Sequence, residues 1–372
     1  MEGAPMTRVL MASNDQTFSP ALTHAYHARG LDVTAGVPNL DPAFGRFDVL
    51  HVHWPEELAG WSARDKARTD KVLELLDWWK QRAVIVATVH NLVPHRAERL
   101  DGPESVYFNA FYERVDLLCH FSGYSRERYA EQYPAIPQAR QIVQPLNTYD
   151  HLLPLMRGRE AARAQFGVKP DEHVFAVCGA MRLPAEMNLV RAAWSRLRDP
   201  SARLLLASGP SWSGLDPVRR TAGKVAHRLW LRDRRISRLG GQVDDSTLVG
   251  ILEAADTIII PRLGHHLNSG LVPLALTFGT GILAADLGAN REIVPQPQNE
   301  LYEAGNADSL IEAMRRQMVK SSAEVRAANL AHRDTIGWGA ALDMIWPRVV
   351  EIGRHKRLPA FTSAAQGEAA GL

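Results

Sequence analysis

Residues 255–294 read ADTIIIPRLGHHLNSGLVPLALTFGTGILAADLGANREIV, and this stretch decides the fold. The β-branched run at 257–260 ends at Pro261 and predicts a short buried strand. Residues 262–270 form a loop with two Gly, two His and an Asn-Ser pair. Residues 271–278 are apolar at helical density, and Gly279-Thr280-Gly281 supplies a helix stop. Residues 282–285 predict another buried strand. A loop therefore empties onto a helix N-terminus at the carboxyl end of a strand. In an α/β sheet ligands bind at that place, and N–H groups there suit an anion such as a diphosphate. No Lys, Arg, Asp or Glu falls between Leu263 and Ala285, a length that raises a membrane span. Pro273, the Gly-Thr-Gly break and the His and Asn residues favour a soluble strand–loop–helix–strand unit instead.

With 372 residues the chain has length for two domains and a large core. Its 46% hydrophobic and 23% charged residues suit a soluble globular protein, and a net charge of +2 gives no general call for nucleic acid. Cys119 and Cys178 lie in apolar runs, which predicts buried free thiols in a cytoplasmic setting. The first apolar run, 8–12, is too short for a secretory signal.

From the N-terminus, residues 8–12 predict a strand, 21–29 a helix stopped at Gly30, and 31–33 a strand. This is a doubly wound opening. Residues 47–53 form a buried strand running into Trp54-Pro55-Glu56-Glu57. Alternation sets His51 and His53 on one face, with His53 at the strand end. By themselves His53 and Trp54 suit a strand cap, and Glu56 the start of a short helix. Residues 71–81 predict an amphipathic helix and 83–89 a strand ending at His90; His95 reads as an exposed loop residue. A helix is expected at 104–114, strands at 115–121 and 141–146, and a linker over 150–171. The second domain then opens with a strand at 173–179 and the loop Gly179-Ala180-Met181-Arg182. A strand follows at 202–207, helices at 247–254, 309–320 and 323–332, and a last helix at 338–353 broken at Pro347. From Pro359 onward the Ala- and Gly-rich composition predicts a disordered tail.

The central stretch resembles the donor-binding motif of GT-B glycosyltransferases, in the large retaining family of bacterial mannosyltransferases and sucrose-phosphate synthase. That family commonly reads E-G-F-G-L-V-P-L-E-A, then G-T-P-V-V-A, then G-G-x-x-E-x-V. The same register here gives residues 267–276 as LNSGLVPLAL, 279–284 as GTGILA, and Gly288 to Val294. The family's two glutamates fall on Leu267 and Ala275, so their roles are not carried over. The Asn268-Ser269-Gly270 variant, His51-Val-His53-Trp54-Pro55 and Thr88-Val89-His90-Asn91 together resemble an exopolysaccharide branch that lacks the glutamate pair.

The resemblance implies a GT-B fold: two doubly wound, Rossmann-like α/β domains facing a central cleft. The expected division is an acceptor-side domain at 1–155, a nucleotide-sugar-binding domain at 156–338, a helix crossing back at 339–358 and the tail at 359–372. The implied reaction moves a sugar from a GDP- or UDP-sugar donor to a hydroxyl of a lipid-linked or exopolysaccharide acceptor, with no metal or other cofactor. Gly179, Arg182, Asn268, Ser269, Gly270, Leu271 and Val272 would bind the donor, with Arg182 on the diphosphate. The family's accompanying Lys falls on Ala185, Glu186 or Met187, so that charge is missing. His90 matches a donor-sugar contact. Glu56, by the strand end that carries His53, is the candidate base if the course is inverting.

Residues 216–238 hold eight Lys or Arg against two Asp, with an apolar stripe at Val218, Ala222, Val225, Ala226 and Leu229. This predicts a basic amphipathic helix. It serves as a solvated helix packed on its domain or as a contact with an anionic membrane surface, which would make the enzyme peripheral on the inner face. Nucleic acid ranks last, since Trp230 is its only stacking platform. A nucleotide-sugar binder that has lost catalysis and a membrane-surface interaction protein are the other classes compatible with the sequence.

Overall fold

A computed structural model describes residues 6–15, 19–94, 103–241, 243–264 and 267–362. His95, Gln242, His265, His266 and the chain beyond Thr362 lie outside the described residues. The chain divides into unit 1, Met1–Asn147 with Ile336–Leu372, and unit 2, Thr148–Thr335.

Unit 1 is built on six strands: β1 (Arg8–Met11), β2 (Asp32–Ala35), β3 (Val49–Val52), β4 (Val84–Thr88), β5 (Leu117–His120) and β6 (Gln141–Val143). They lie in the order β2-β1-β3-β4-β5-β6, every pair parallel. The runs VLHV, VIVAT and LLCH are buried along their whole length. Strands covered on both faces favour such unbroken apolar runs over alternation. One face packs Val9, Val49, Val84 and Leu117 against Leu22 and Tyr26 of the helix Ser19–Ala28. Trp338, Leu342, Ile345 and Val349 of the helix Trp338–His355 complete that core.

Unit 2 repeats the plan with β7 (His173–Cys178), β8 (Ala202–Ala207), β9 (Ile236–Arg238), β10 (Thr257–Ile260), β11 (Gly281–Ala285) and β12 (Glu300–Tyr302). Their order is β12-β11-β10-β7-β8-β9, again all parallel. Phe175, Val177, Leu204, Ile259 and Leu283 meet Met187 and Trp194 of the helix Pro184–Arg196 and Leu310 and Met314 of the helix Ala307–Met318. In each unit the strand order reverses beside the first strand, between β1 and β3 and between β7 and β10. Crevices open at the carboxyl ends of strands at such reversals.

Four expectations change. The division falls after Asn147 because the following segment is held by unit 2: Tyr149 N–H donates to Thr277 Oγ1 (2.9 Å), and Arg157 and Gly158 N–H donate to the buried Glu253 carboxylate (3.0 and 2.9 Å). The last helix runs through Pro347 unbroken. Losing a helical bond there costs about 3 kcal/mol, and the buried stripe from Trp338 to Gly353 on the sheet outweighs it. The basic helix is Pro217–Trp230 alone, since a turn at Asp233 and pairing of Ile236 with Leu204 put the next residues in β9. Residues 359–362, expected in a disordered tail, form a helical turn with Phe361 buried on the core. Cys119 and Cys178 are free and buried.

A Cβ at Gly353 would overlap the Phe361 ring. Gly353→Ala is therefore expected to destabilise unit 1 by about 1–3 kcal/mol through overpacking, read as a lower urea midpoint. An unchanged midpoint would remove the Phe361 seat.

Candidate active site

The unit 2 crevice is made by the loops after β7 and β10. Gly179 follows β7 with φ +82°, a left-handed conformation that favours glycine. Its carbonyl accepts from Ser208 Oγ at 2.6 Å. The chain then turns into the helix Pro184–Arg196, whose N-terminus would be a natural anion site. Glu186 already occupies it. Its fully buried carboxylate accepts the N–H groups of Arg182 (2.7 Å) and Leu183 (3.1 Å), and that of Leu263 after β10 (3.3 Å). Arg182 sends its exposed side chain from this loop.

Arg262, the first charged residue after β10, enters the same place. Its Nη1 donates to the Ala180 carbonyl at 2.6 Å and lies 3.7 Å from Glu186. Its Nη2 is 3.9 Å from where a Gly179 Cβ would stand. Burial pulls Arg262 below the usual arginine range; Glu186 opposes this and Arg182 adds to it. The Arg262 guanidinium and the buried Glu186 carboxylate thus share the crevice, with Arg182 on the exposed loop beside them. Sequence reasoning found Arg182 and left the second cation unassigned. Its signal was position alone: a basic residue directly after the strand where the order reverses.

The motif loop closes the other side. Ser269 is buried, Asn268 half-buried and Gly270 exposed. A Cβ at Gly270 would come 2.8 Å from the Tyr149 hydroxyl, so a larger residue there would displace that side chain, while the backbone at φ −60° is open to any residue. Leu271 lays its methyl groups over Gly179. The Val272 N–H, expected to face the donor, instead bonds the Ser269 carbonyl at 3.1 Å, because the turn closes on itself. Gly270 and Leu271 keep the exposed end of this helix start. Leu267 is 5% exposed and Ala275 fully enclosed, so both positions that bear glutamate in the resembled family are packed with apolar side chains.

The unit 1 crevice is made by the loops after β1 and β3. Glu57 clasps them: Ser13 Oγ and Asn14 N–H donate to its two carboxylate oxygens at 2.7 and 2.8 Å. His51 is locked between the Tyr26 hydroxyl at Nδ1 (2.9 Å) and Thr88 Oγ1 at Nε2 (2.8 Å), so it belongs to the core. His53 Nδ1 and His90 Nε2 lie 2.9 Å apart, and one of them donates. Trp54 stacks on His90 with centroids 4.3 Å apart. Burial lowers His53 to about 4, with Asp15 opposing, so His53 is neutral at pH 7 and orients the half-buried His90. Glu56 sits in the first turn of the helix Pro55–Leu58 at 2% exposure, with Asn91 Nδ2 3.3 Å from Oε1. The structure thus brings His53, His90 and Glu56 to one strand edge and Gly179, Arg182 and 268–272 to another, each within its own unit.

No protein-family model matches the chain. By sequence it is similar to D-inositol 3-phosphate glycosyltransferase of Mycobacteroides abscessus, 28% identical over 325 residues, or 84% of this chain and 68% of that protein. By structure it is similar to sucrose-phosphate synthase of Thermosynechococcus elongatus, with TM-score 0.62, 16% identity and coverage of 95% and 98%. It is also similar to Anabaena HepE in complex with UDP and glucose, with TM-score 0.61, 11% identity and coverage of 94% and 98%. The fold class is GT-B. The chain shares this fold with these glycosyltransferases.

The depressed His53 value carries a pH signature. The unfolded chain protonates His53 near its ordinary 6.5, while the folded chain resists protonation down to about 4. The unfolded state therefore binds more protons between these values. Stability is complete above about pH 6.5 and falls as pH drops towards 4, by up to roughly 3 kcal/mol from this group. His53→Gln should flatten the loss of unfolding free energy between pH 7 and pH 5. Equal slopes for the two proteins would contradict the buried neutral histidine.

Proposed function

We propose that the chain transfers a hexosyl group from a GDP- or UDP-sugar to a sugar hydroxyl of a lipid-linked or exopolysaccharide acceptor, at an anionic membrane surface. The observation that carries this reading is Arg262 held on the Ala180 carbonyl at the Gly179 turn, beside the loop that bears Arg182, on the carboxyl edge where the strand order of unit 2 reverses. Breaking the bond between sugar C1 and phosphate oxygen leaves negative charge on the nucleoside diphosphate. Arg262, fixed on the Ala180 carbonyl, and Arg182 from the exposed loop stabilise that charge without a metal. Asn268 and Ser269 read the sugar or phosphate, and the backbone at Gly270 and Leu271 lies against the donor.

In unit 1, His90 donates to or accepts from a donor-sugar hydroxyl, with His53 fixing its ring. For an inverting course, the acceptor oxygen forms the new bond to C1 and Glu56 takes its proton. The acceptor class stands on the resemblance of the Asn-Ser-Gly and His-x-His-Trp-Pro motifs. The sequence relatives carry the name of D-inositol 3-phosphate, so that compound belongs in the acceptor panel. The apolar Leu267 and Ala275 favour one second reading, a donor-binding protein without turnover.

Transfer measured with nucleotide sugars is expected to persist in EDTA. It should fall by about 100-fold or more in Arg262→Ala, the scale of removing one transition-state donor. Glu56→Gln should fall at least as far. Normal turnover in Glu56→Gln removes that residue as the base, and a requirement for added metal contradicts the charge assignment. Donor binding by the wild type with neither transfer nor hydrolysis selects the second reading.

A further inference from the structure

The helix Pro217–Trp230 of unit 2 presents two different faces. Gly223, Ala226, His227 and Trp230 are half-buried and join it to the unit. The Trp212 ring lies against Gly223, where a Cβ would come within 2.6 Å of it, and Trp230 packs on the unit 2 core. His227 sits between Trp212 and Trp230, at centroid distances of 6.5 and 5.5 Å. The small residues and the aromatic rings therefore make the inner face.

The second face is the stripe Val218, Ala222, Val225 and Leu229, spaced four, three and four, which is one line along a helix. All four are exposed, Val218 at 77%, Val225 at 55% and Leu229 at 54%. A solvated helix carries its apolar line inward; this one carries it outward. Arg219, Arg220, Lys224 and Arg228 border the line within the helix, and Arg232 follows just beyond it. Asp216 caps the helix by accepting the Arg219 N–H at 2.9 Å and pairs with the Arg219 side chain.

We propose that this helix docks unit 2 in the plane of an anionic lipid bilayer, with Val218, Val225 and Leu229 entering the acyl boundary and the flanking Lys and Arg meeting headgroup phosphates. An outward apolar line about 16 Å long with basic borders is what such a surface binds. Charge selects this occupant. A two-fold contact with a second copy sets the same basic patch against itself. A single-stranded nucleic acid needs exposed stacking rings, and Trp212 and Trp230 face inward. Among the described residues no helix is long and apolar enough to cross a membrane, so the contact is peripheral. This inference does not require the transfer reading, because it is tested without donor.

The test is co-sedimentation of the full chain with phosphatidylcholine vesicles, with and without phosphatidylglycerol, at low and high salt. Val225→Asp and Lys224→Glu/Arg228→Glu are compared with the wild type. All three side chains are exposed, and an unchanged Tm confirms the fold. The wild type is expected to prefer the anionic vesicles and to release in high salt. Each variant should lower the partition coefficient roughly tenfold or more. No preference for anionic over neutral vesicles overturns the proposal, as does Val225→Asp binding as tightly as the wild type. Two other outcomes overturn it equally: polynucleotide binding without vesicle binding, and a dimer that Val225→Asp dissolves while vesicles stay unbound.

Discussion

In both units a buried carboxylate bonded to backbone amides holds the crevice loops in place. Glu57 ties the loop after β1 to the loop after β3, and Glu186 ties the loop after β7 to the residue after Arg262. A carboxylate taken out of water is costly unless several donors satisfy it, and charge-assisted bonds to N–H groups do so. Two parallel sheets would form without these side chains. The loops at the strand reversals would then lack a fixed shape, and the presentation of Arg182, Arg262 and His90 depends on that shape.

The consequence in unit 2 is a trade of one anion site for another. Glu186 consumes the N–H groups that a helix start would otherwise offer a phosphate. In the proposed site anion binding is left to side chains, and Arg262 lies beside Gly179, its proton affinity lowered by burial first and by Arg182 second. The same substitution of means is visible in the motif loop. Leu267 and Ala275 fill with apolar packing the positions where the resembled family has carboxylates. Charge beside the crevice therefore rests on arginine, which under the proposed transfer suits a leaving group that gains negative charge as the bond breaks.

The sheets were legible because their strands are unbroken β-branched and aliphatic runs closed by Gly or Pro, and the motif loop was legible because its spacing repeats a known pattern. What sequence reasoning missed is tertiary. Arg262 and Glu186 are 76 positions apart in number and neighbours in space. Pro347 reads as a break until the buried stripe on either side of it is counted. In the basic helix, periodicity located the stripe Val218, Ala222, Val225, Ala226 and Leu229 but not the side it faces, and Ala226 belongs to the inner face. The small residue Gly223, which admits the Trp212 ring, decides that the opposite face packs.

The central proposal is that the unit 2 crevice holds a nucleoside diphosphate sugar with arginine, and no metal, on its diphosphate. A thermal-shift panel of UDP-, GDP- and dTDP-sugars in EDTA tests it most directly. One nucleotide class at about 100 times its Kd should stabilise the fold by roughly 2.7 kcal/mol, and the shift should shrink in Arg182→Ala. No shift with any of the three, or a shift that Arg182→Ala leaves intact, would contradict it.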